Sequence, residues 1–389
     1  MTLDSSRIDL LVSVAESVRD GQAATRGDIG DLFKLRSTSV SEIVAQLLAC
    51  NLVVESKARS RAQGRPAAVL VFNQRRLGAI FISVIDNKLV GYAVDMGLMV
   101  LCQTSITPDP SDGNAEIAAH LVELARRVGE LAPDDIEICA VVCALSGLLD
   151  VSSSTWCFAT RWPKLRNLDV AASLAGVGHR AYLIRNVDAE LEGFRASSPT
   201  FGNEATLLLH WGHGIGAAFA SRHGVINRDK GRFCEIGHWG LSNNRRRRCR
   251  CGNDDCLETV AALWALGPQL IQSFPDLPQD EREIAAHLGR SDVEGSAPMQ
   301  EALAEVLRLT ANLCRLLFPD RIVLTGPFVQ NPRIFSRFVQ VLDSAPMLSS
   351  LDQIRISIVS SGQDYEIAGA VRQPFAEAFR ELVMRPVPQ

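Results

Sequence analysis

His238, Cys249, Cys251 and Cys256 stand at the spacing H-x10-C-x-C-x4-C, and Glu258 follows two residues beyond the last of them. The tight C-x-C-G turn brings thiolates together, and three cysteines with one histidine make a closed tetrahedral ligand set for a single structural Zn2+ per chain. Four protein ligands leave no open coordination position, so such a site shapes its surroundings without doing chemistry. The alternative, a cluster of ordinary buried cysteines, needs neither the histidine nor the fixed turn. The remaining seven cysteines, Cys50, Cys102, Cys139, Cys143, Cys157, Cys234 and Cys314, are scattered through apolar sequence in the manner of reduced core thiols.

Basic charge is the second chemical signal. From Lys57 to Arg76 there are six basic residues, Lys57, Arg59, Arg61, Arg65, Arg75 and Arg76, and no acidic one, in a chain of net charge −4. Charge alone suits a polyanion partner and a solvated loop equally. The elements around this segment decide for the partner. Ile8, Leu11, Val12, Ala15 and Val18 recur at helical spacing and stop at Asp20-Gly21. A second short helix fits Asp28 to Phe33, and a third begins near Ser39, where Ser39-Val-Ser-Glu42 has the pattern of a capping box. Leu52 to Glu55 and Ala67 to Phe72 read as strands on either side of the basic loop. Three helices and a basic hairpin in this order predict a winged helix-turn-helix over residues 1–76 that binds double-stranded DNA. Ser37, Thr38, Ser39 and Ser41 would let the third helix approach a major groove closely. Arg36 and Glu42 would reach phosphates or base edges, and Arg59, Arg61 and Arg65 in the wing would meet phosphates or the minor groove.

With 389 residues the chain has length for two or three domains, and its 47% apolar and 22% charged residues describe a globular protein. The longest apolar run, Ile136 to Leu149, is interrupted by Glu137, Ser146 and Gly147 and reads as a buried strand, so no membrane segment is expected. The N-terminus MTLDSSRIDL carries no cationic stretch before an apolar one, which predicts a cytoplasmic location. From about Leu77 onward strands and helices alternate as in an α/β protein. Arg245 to Arg248 and Arg250 flank the cysteine turn; a solvated loop is the plainer account of them, an acidic partner or a sugar phosphate the other.

The run Gly212-His-Gly-Ile-Gly216, then Glu235-Ile-Gly-His238, then Cys249-Arg-Cys-Gly252 through Cys256-Leu-Glu258, resembles the signature of the ROK family, which joins sugar kinases and sugar-responsive repressors. Thr25-Arg26 through Val40-Ser41, and the Gly64-Arg65-Pro66 that ends the wing, match the winged helix of the family's repressors. The resemblance implies a two-lobed actin-like, hexokinase-like (ribonuclease H-like) domain over residues 77–389. Lobe 1 would span about 77–195 plus a C-terminal helix at about 362–389, and lobe 2 about 196–361 with the zinc site. By the same resemblance Glu235 and Glu258 accept hydrogen bonds from sugar hydroxyls, and His238 binds zinc through one ring nitrogen while facing the sugar. Asp188 falls where family kinases hold their general base; in a repressor that carboxylate would only bind the hydroxyl. On local sequence an N-cap role for Asp188 is equally open.

Departures from the kinase pattern argue against an enzyme. No glycine stands between Ala79 and Gly91, where the kinases have paired glycines after their first strand; His213 replaces the hydroxyl residue of a second phosphate loop; and Pro327 follows Gly326 where paired glycines are expected. The kinase segment Asn-Asp-Ala-Asn reads Val187-Asp188-Ala189-Glu190 here, so the effector pocket trades two amides for a valine and the carboxylate of Glu190. The expectation is a regulator of carbohydrate genes that binds an operator as a homodimer or homotetramer. A sugar or sugar-phosphate effector would sit between the lobes, and a protein partner is a further possibility. The alternative is a ROK-type sugar kinase with an added DNA-binding module.

Overall fold

The computed structural model describes residues 5–57, 68–242, 245–278, 281–288, 292–344, 353–359 and 363–385. Helix α1 (Ser5–Arg19) buries Leu11, Val14 and Ala15, and the chain leaves it at Gly21, whose φ of +71° favours a residue without a side chain. Helix α2 (Arg26–Phe33) opens on a capping box formed by Thr25 and Asp28 and is closed by Lys34 in the left-handed conformation. Helix α3 (Ser37–Ala49) starts two residues earlier than its sequence pattern suggests, with Arg36 as the N-cap and no side-chain cap. Ser39 is therefore already inside the helix and the capping box expected at Ser39 and Glu42 does not form. Ser41 Oγ donates instead to the Ser37 carbonyl (2.9 Å). Strands β1 (Val53–Lys57) and β2 (Ala68–Phe72) pair antiparallel, with Val53 opposite Phe72 and Lys57 opposite Ala68, completing the winged-helix order.

A turn at Gln74–Arg76 leads directly into the first of two similar lobes. The first contains β3 (Leu77–Ile85), β4 (Lys88–Asp95), β5 (Val100–Ile106), α4 (Asn114–Leu131) and β6 (Glu137–Leu145). A small antiparallel sheet of β7 (Leu148–Asp150), β8 (Thr155–Phe158) and β9 (Arg166–Asp169) follows, then α5 (Val170–Leu174), β10 (Arg180–Arg185) and α6 (Asn186–Ala196). The second lobe holds α7 (Pro199–Gly202), β11 (Thr206–Trp211), β12 (Ile215–Ser221), β13 (Gly224–Val225), α8 (Glu258–Ala261), α9 (Leu263–Ser273), α10 (Glu281–Leu288), α11 (Ala297–Leu317), β14 (Arg321–Thr325), α12 (Pro332–Asp343) and β15 (Arg355–Ile358). The chain then returns to the first lobe as α13 (Asp364–Met384).

The two main sheets have the same topology. In the first the order is β10-β6-β3-β4-β5, in the second β13-β12-β11-β14-β15; each is an antiparallel meander whose first strand continues into two parallel strands. This internal duplication is the two-lobed arrangement that the resemblance implies. Helices α8 and α9 are separated by Ala262, whose ψ of 146° is extended, and the break lets the Leu263 N–H reach the Gly212 carbonyl (2.9 Å).

The head does not own a separate core. Leu11, Val44 and Leu47 belong to the same apolar cluster as Phe81, Val142 and Val371 of the first lobe. Phe72 packs on Phe379 of α13 with ring centroids 6.2 Å apart, and Gln46 donates to the Val383 carbonyl (3.0 Å). At its other end α13 crosses α6 closely enough that a Cβ on Gly369 would lie 1.9 Å from the Ala189 carbonyl oxygen. Only glycines permit that approach.

Candidate functional site

A cavity of about 170 Å³ lies between the lobes, against the roughly 10–15 Å³ that one water requires. Its wall includes Glu190, Glu235, His238 and Glu258 from the expected effector set. The loop before β12 and the first turn of α8 deliver Glu258: Oε1 accepts from the Ile215 N–H (3.1 Å) and Oε2 from Trp264 Nε1 (3.2 Å). Gly214 and Gly237 leave the room, since a Cβ on either would lie 2.9 Å from that Oε1. Glu235 is held at 3.1 Å by Arg185 Nη1. Glu190 accepts from Thr325 Oγ1 (2.7 Å), and burial pushes its pKa up.

Asp188 is placed elsewhere. It does not line the cavity. It is almost fully buried and bound by Arg185 Nη2 (2.7 Å), a guanidinium that also bonds the Ala217 and Phe233 carbonyls. Nor is it an N-cap, because α6 begins at Asn186 with Arg185 as the capping residue. Helical periodicity explains the correction: Val187 and Glu190, three residues apart, share the face turned to the cavity, and Asp188 points about 100° away from it. Asn186, which the sequence reading passed over, does line the cavity.

His238, Cys249, Cys251 and Cys256 come together at one side of the cavity, with all four ligand atoms within 4.8 Å of one another. Cys251 Sγ and Cys256 Sγ are 3.6 Å apart, and Cys249 Sγ lies 3.7 Å from His238 Nδ1. Metal–sulfur distances near 2.3 Å in a tetrahedron give edges of about 3.8 Å, so the donor set fits a metal ion. The neighbouring arginines Arg245, Arg246, Arg248 and Arg250 are exposed, as a solvated loop would have them, and still find partners. Arg245 and Arg247 pair with Glu301, Arg248 with Asp254, and the Arg246 and Arg247 N–H groups donate to Asp255. Arg250 lies over the Trp264 ring, 4.6 Å from its centroid. These contacts brace the cysteine turn.

The other side of the cavity brings His213 of the Gly212–Gly216 run together with Glu281, His210, Arg161 and Asp86, which no sequence motif announced. Glu281, the first residue of α10, accepts from the His213 N–H through Oε1 (2.8 Å), and the same oxygen faces His210 Nε2 at 3.3 Å. Its Oε2 faces Arg161 Nη2 at 3.8 Å, and its own N–H donates to Asp86 Oδ1 (2.7 Å) in the turn between β3 and β4. Burial opposes the charge of Glu281, but the hydrogen bond and charge of His210, Arg161 and the His213 N–H together hold its pKa down to about 2. Burial pushes His213 down to about 3, so its ring is neutral. At Gly326, φ is +95° and a Cβ would lie 2.3 Å from the Trp211 carbonyl oxygen, so glycine is required there before Pro327.

In the head, Arg36, Ser37, Thr38, Ser41 and Glu42 are exposed and Ser39 is half-buried, while Val40, Ile43, Val44 and Leu47 face the core. Ala45 and Ala49 extend the exposed face with small side chains. Glu42 approaches Arg7 (3.8 Å). Arg59, Arg61 and Arg65, with Gly64 and Pro66, lie outside the described residues.

A match to the ROK family spans residues 107–372. The chain belongs to the ROK family. Among ROK members it is 23% identical to the N-acetylglucosamine repressor of Escherichia coli O6:H1 over 359 residues, 88% of this chain and 86% of that protein. A solved ROK family transcriptional regulator, homologous to the E. coli Mlc protein, superposes with a TM-score of 0.70 at 18% identity, covering 97% of this chain and 98% of its own. The ROK hexokinase of Thermus thermophilus superposes with a TM-score of 0.57 at 21% identity, covering 78% of this chain and 99% of its own. The fold is thus shared by ROK regulators and ROK kinases. Among the described residues no helix is long and apolar enough to cross a membrane.

Proposed function

We propose that this ROK protein is a sugar-responsive, DNA-binding transcriptional repressor of carbohydrate uptake or catabolism genes. The observation that carries the reading is a continuous line of packed elements from cavity to head. Glu190 and Val187 of α6 line the cavity, α6 crosses α13 at Gly193 and Gly369, and the far end of α13 packs on Phe72 and Gln46 of the winged helix. A sugar bound between the lobes shifts α6, and α13 carries the shift to the recognition helix. Two heads in a homodimer or higher even oligomer read half-sites about 34–36 Å apart, so a change of a few ångströms in head spacing spoils the match.

In the cavity, Glu235 and Glu258 accept from sugar hydroxyls, and Glu190 and Asn186 contribute an acceptor and an amide. The metal is Zn2+, held by His238, Cys249, Cys251 and Cys256, and it fixes the wall from which His238 faces the ligand. Arg36, Ser37, Thr38, Ser41 and Glu42 meet the DNA groove, with Ser39 at the edge of that face. The wing arginines Arg59, Arg61 and Arg65 meet its backbone. Kinase chemistry is not part of the reading, because Val187 rather than a carboxylate occupies the cavity-facing position beside Asn186.

Fluorescence anisotropy of the full chain with duplex fragments from its own promoter region tests this, repeated over a panel of aldoses and hexosamines. One fragment is expected to bind specifically and one sugar to shift its affinity. Arg36→Ala should weaken binding and reduce the salt slope by about 1. Indifference to every fragment together with ATP-dependent sugar phosphorylation in a coupled assay would establish the kinase instead.

A further inference from the structure

A backbone N–H, a histidine and a buried guanidinium that converge make a natural seat for an anion, and the His213 N–H, His210 and Arg161 converge in this way at the loop Gly212–Gly216. In this chain the seat is filled by the protein itself. The Glu281 carboxylate sits on the His213 N–H at 2.8 Å, within reach of His210 and Arg161. Glycine at 212 is what admits it, because a Cβ there would lie 1.7 Å from Glu281 Oε1. The seat also has capacity that Glu281 does not use. Arg161 Nε and His213 Nε2 are buried without a protein partner among the described residues, although buried polar groups are normally satisfied. The Arg161 side chain is only 9% exposed, lines the cavity and is anchored by Ser146 Oγ (3.2 Å). A lone carboxylate thus stands beside a buried guanidinium, Arg161, that keeps a donor in reserve.

We infer that Glu281 is an internal ligand: its carboxylate occupies the phosphate seat of loop 212–216, excludes the phosphates of a nucleotide, and clasps the second lobe to Asp86 and Arg161 of the first. The clasp follows from the same contacts, since Glu281 and His213 belong to the second lobe while Asp86 and Arg161 belong to the first. Glu281 therefore sets the specificity of the cavity, reserving it for a ligand that brings no phosphate to this end. The inference deepens the non-kinase part of the reading above, and its test uses neither DNA nor sugar, so either can fail alone.

The experiment is calorimetric titration of inorganic phosphate into the full-length wild type, Glu281→Ala and Glu281→Gln, the last keeping side-chain volume should the alanine variant not fold. Removing the carboxylate should strengthen phosphate binding at least about tenfold over wild type. Adding Arg161→Ala to Glu281→Ala should return the affinity to the wild-type level. Equal phosphate affinity in wild type and both single variants, or a gain that persists without Arg161, overturns the assignment.

Discussion

The two ends of the interlobe cavity are built in opposite ways. At the metal end, His238, Cys249, Cys251, Cys256 and Glu258 come from one short segment, closed by a tight turn and braced by Arg245 to Arg250 on Glu301, Asp254 and Asp255. At the other end, Asp86, Arg161, His210, His213 and Glu281 arrive from both lobes and from widely separated places in the chain. A ligand set closed within a short loop costs little chain entropy to assemble and leaves a readable spacing. A set assembled across a fold leaves none, because its geometry is fixed by packing rather than by neighbours in sequence. The metal end can therefore be altered by single ligand changes, whereas the other end responds as a coupled electrostatic cluster.

The largest effect is expected from breaking the metal end. Cys251→Ser should reduce bound zinc from one per chain to near zero in elemental analysis and abolish the sugar response, because structural zinc sites contribute on the order of 10 kcal/mol to the folds they close. A full complement of metal in that variant would remove Cys251 from the ligand set. Next comes Arg185, which holds both Asp188 and Glu235. Arg185→Ala leaves the buried Asp188 carboxyl without its partner, to be protonated or left unpaired, and should cost about 3–5 kcal/mol in denaturant unfolding. A loss under about 1 kcal/mol would show that Asp188 does not depend on its partner.

The smallest effect, and the one that separates the ends most cleanly, is a pH dependence. Glu281 has a folded pKa of about 2 against an ordinary 4.5. Its contribution is present above pH 4.5 and is lost as pH falls toward 2. His210 faces it with a raised pKa: burial lowers that pKa, but the Glu281 hydrogen bond and charge outweigh it, so its share is present below the ordinary 6.5 and fades as pH rises through its folded value. The stability difference between wild type and Glu281→Gln should peak between these limits, at on the order of 3 kcal/mol, and shrink on acidification. A difference independent of pH from 2 to 6 would show that Glu281 is not charged in the folded chain.

The head, the alternation of strands and helices, and the convergence of His238 with Cys249, Cys251 and Cys256 were legible because each rests on local rules: helical and strand periodicity and the spacing of the cysteine turn. The legible parts stop where orientation matters. Asp188 and Glu190 were both visible as candidates, but which of them faces the cavity depends on how α6 is rotated against α13, and Gly193 and Gly369 set that rotation by letting the backbones touch. The capping pattern at Ser39 and Glu42 misled because the turn at Lys34 starts α3 early. Glu281 was invisible: a glutamate in a charged stretch has no signature until two lobes close around it.

By itself, the sequence determined that this chain makes a winged helix, an alternating α/β body and a cysteine–histidine cluster, since those follow from residue types at short separations; the two lobes came from the family resemblance. Only the tertiary structure decided that the head shares its core with the first lobe, that Asp188 turns away from the cavity, and that Glu281 fills the seat beside His213. Those outcomes depend on contacts between segments far apart in the chain, whose energies are set by packing and by charges brought out of water, and neither is written in local spacing.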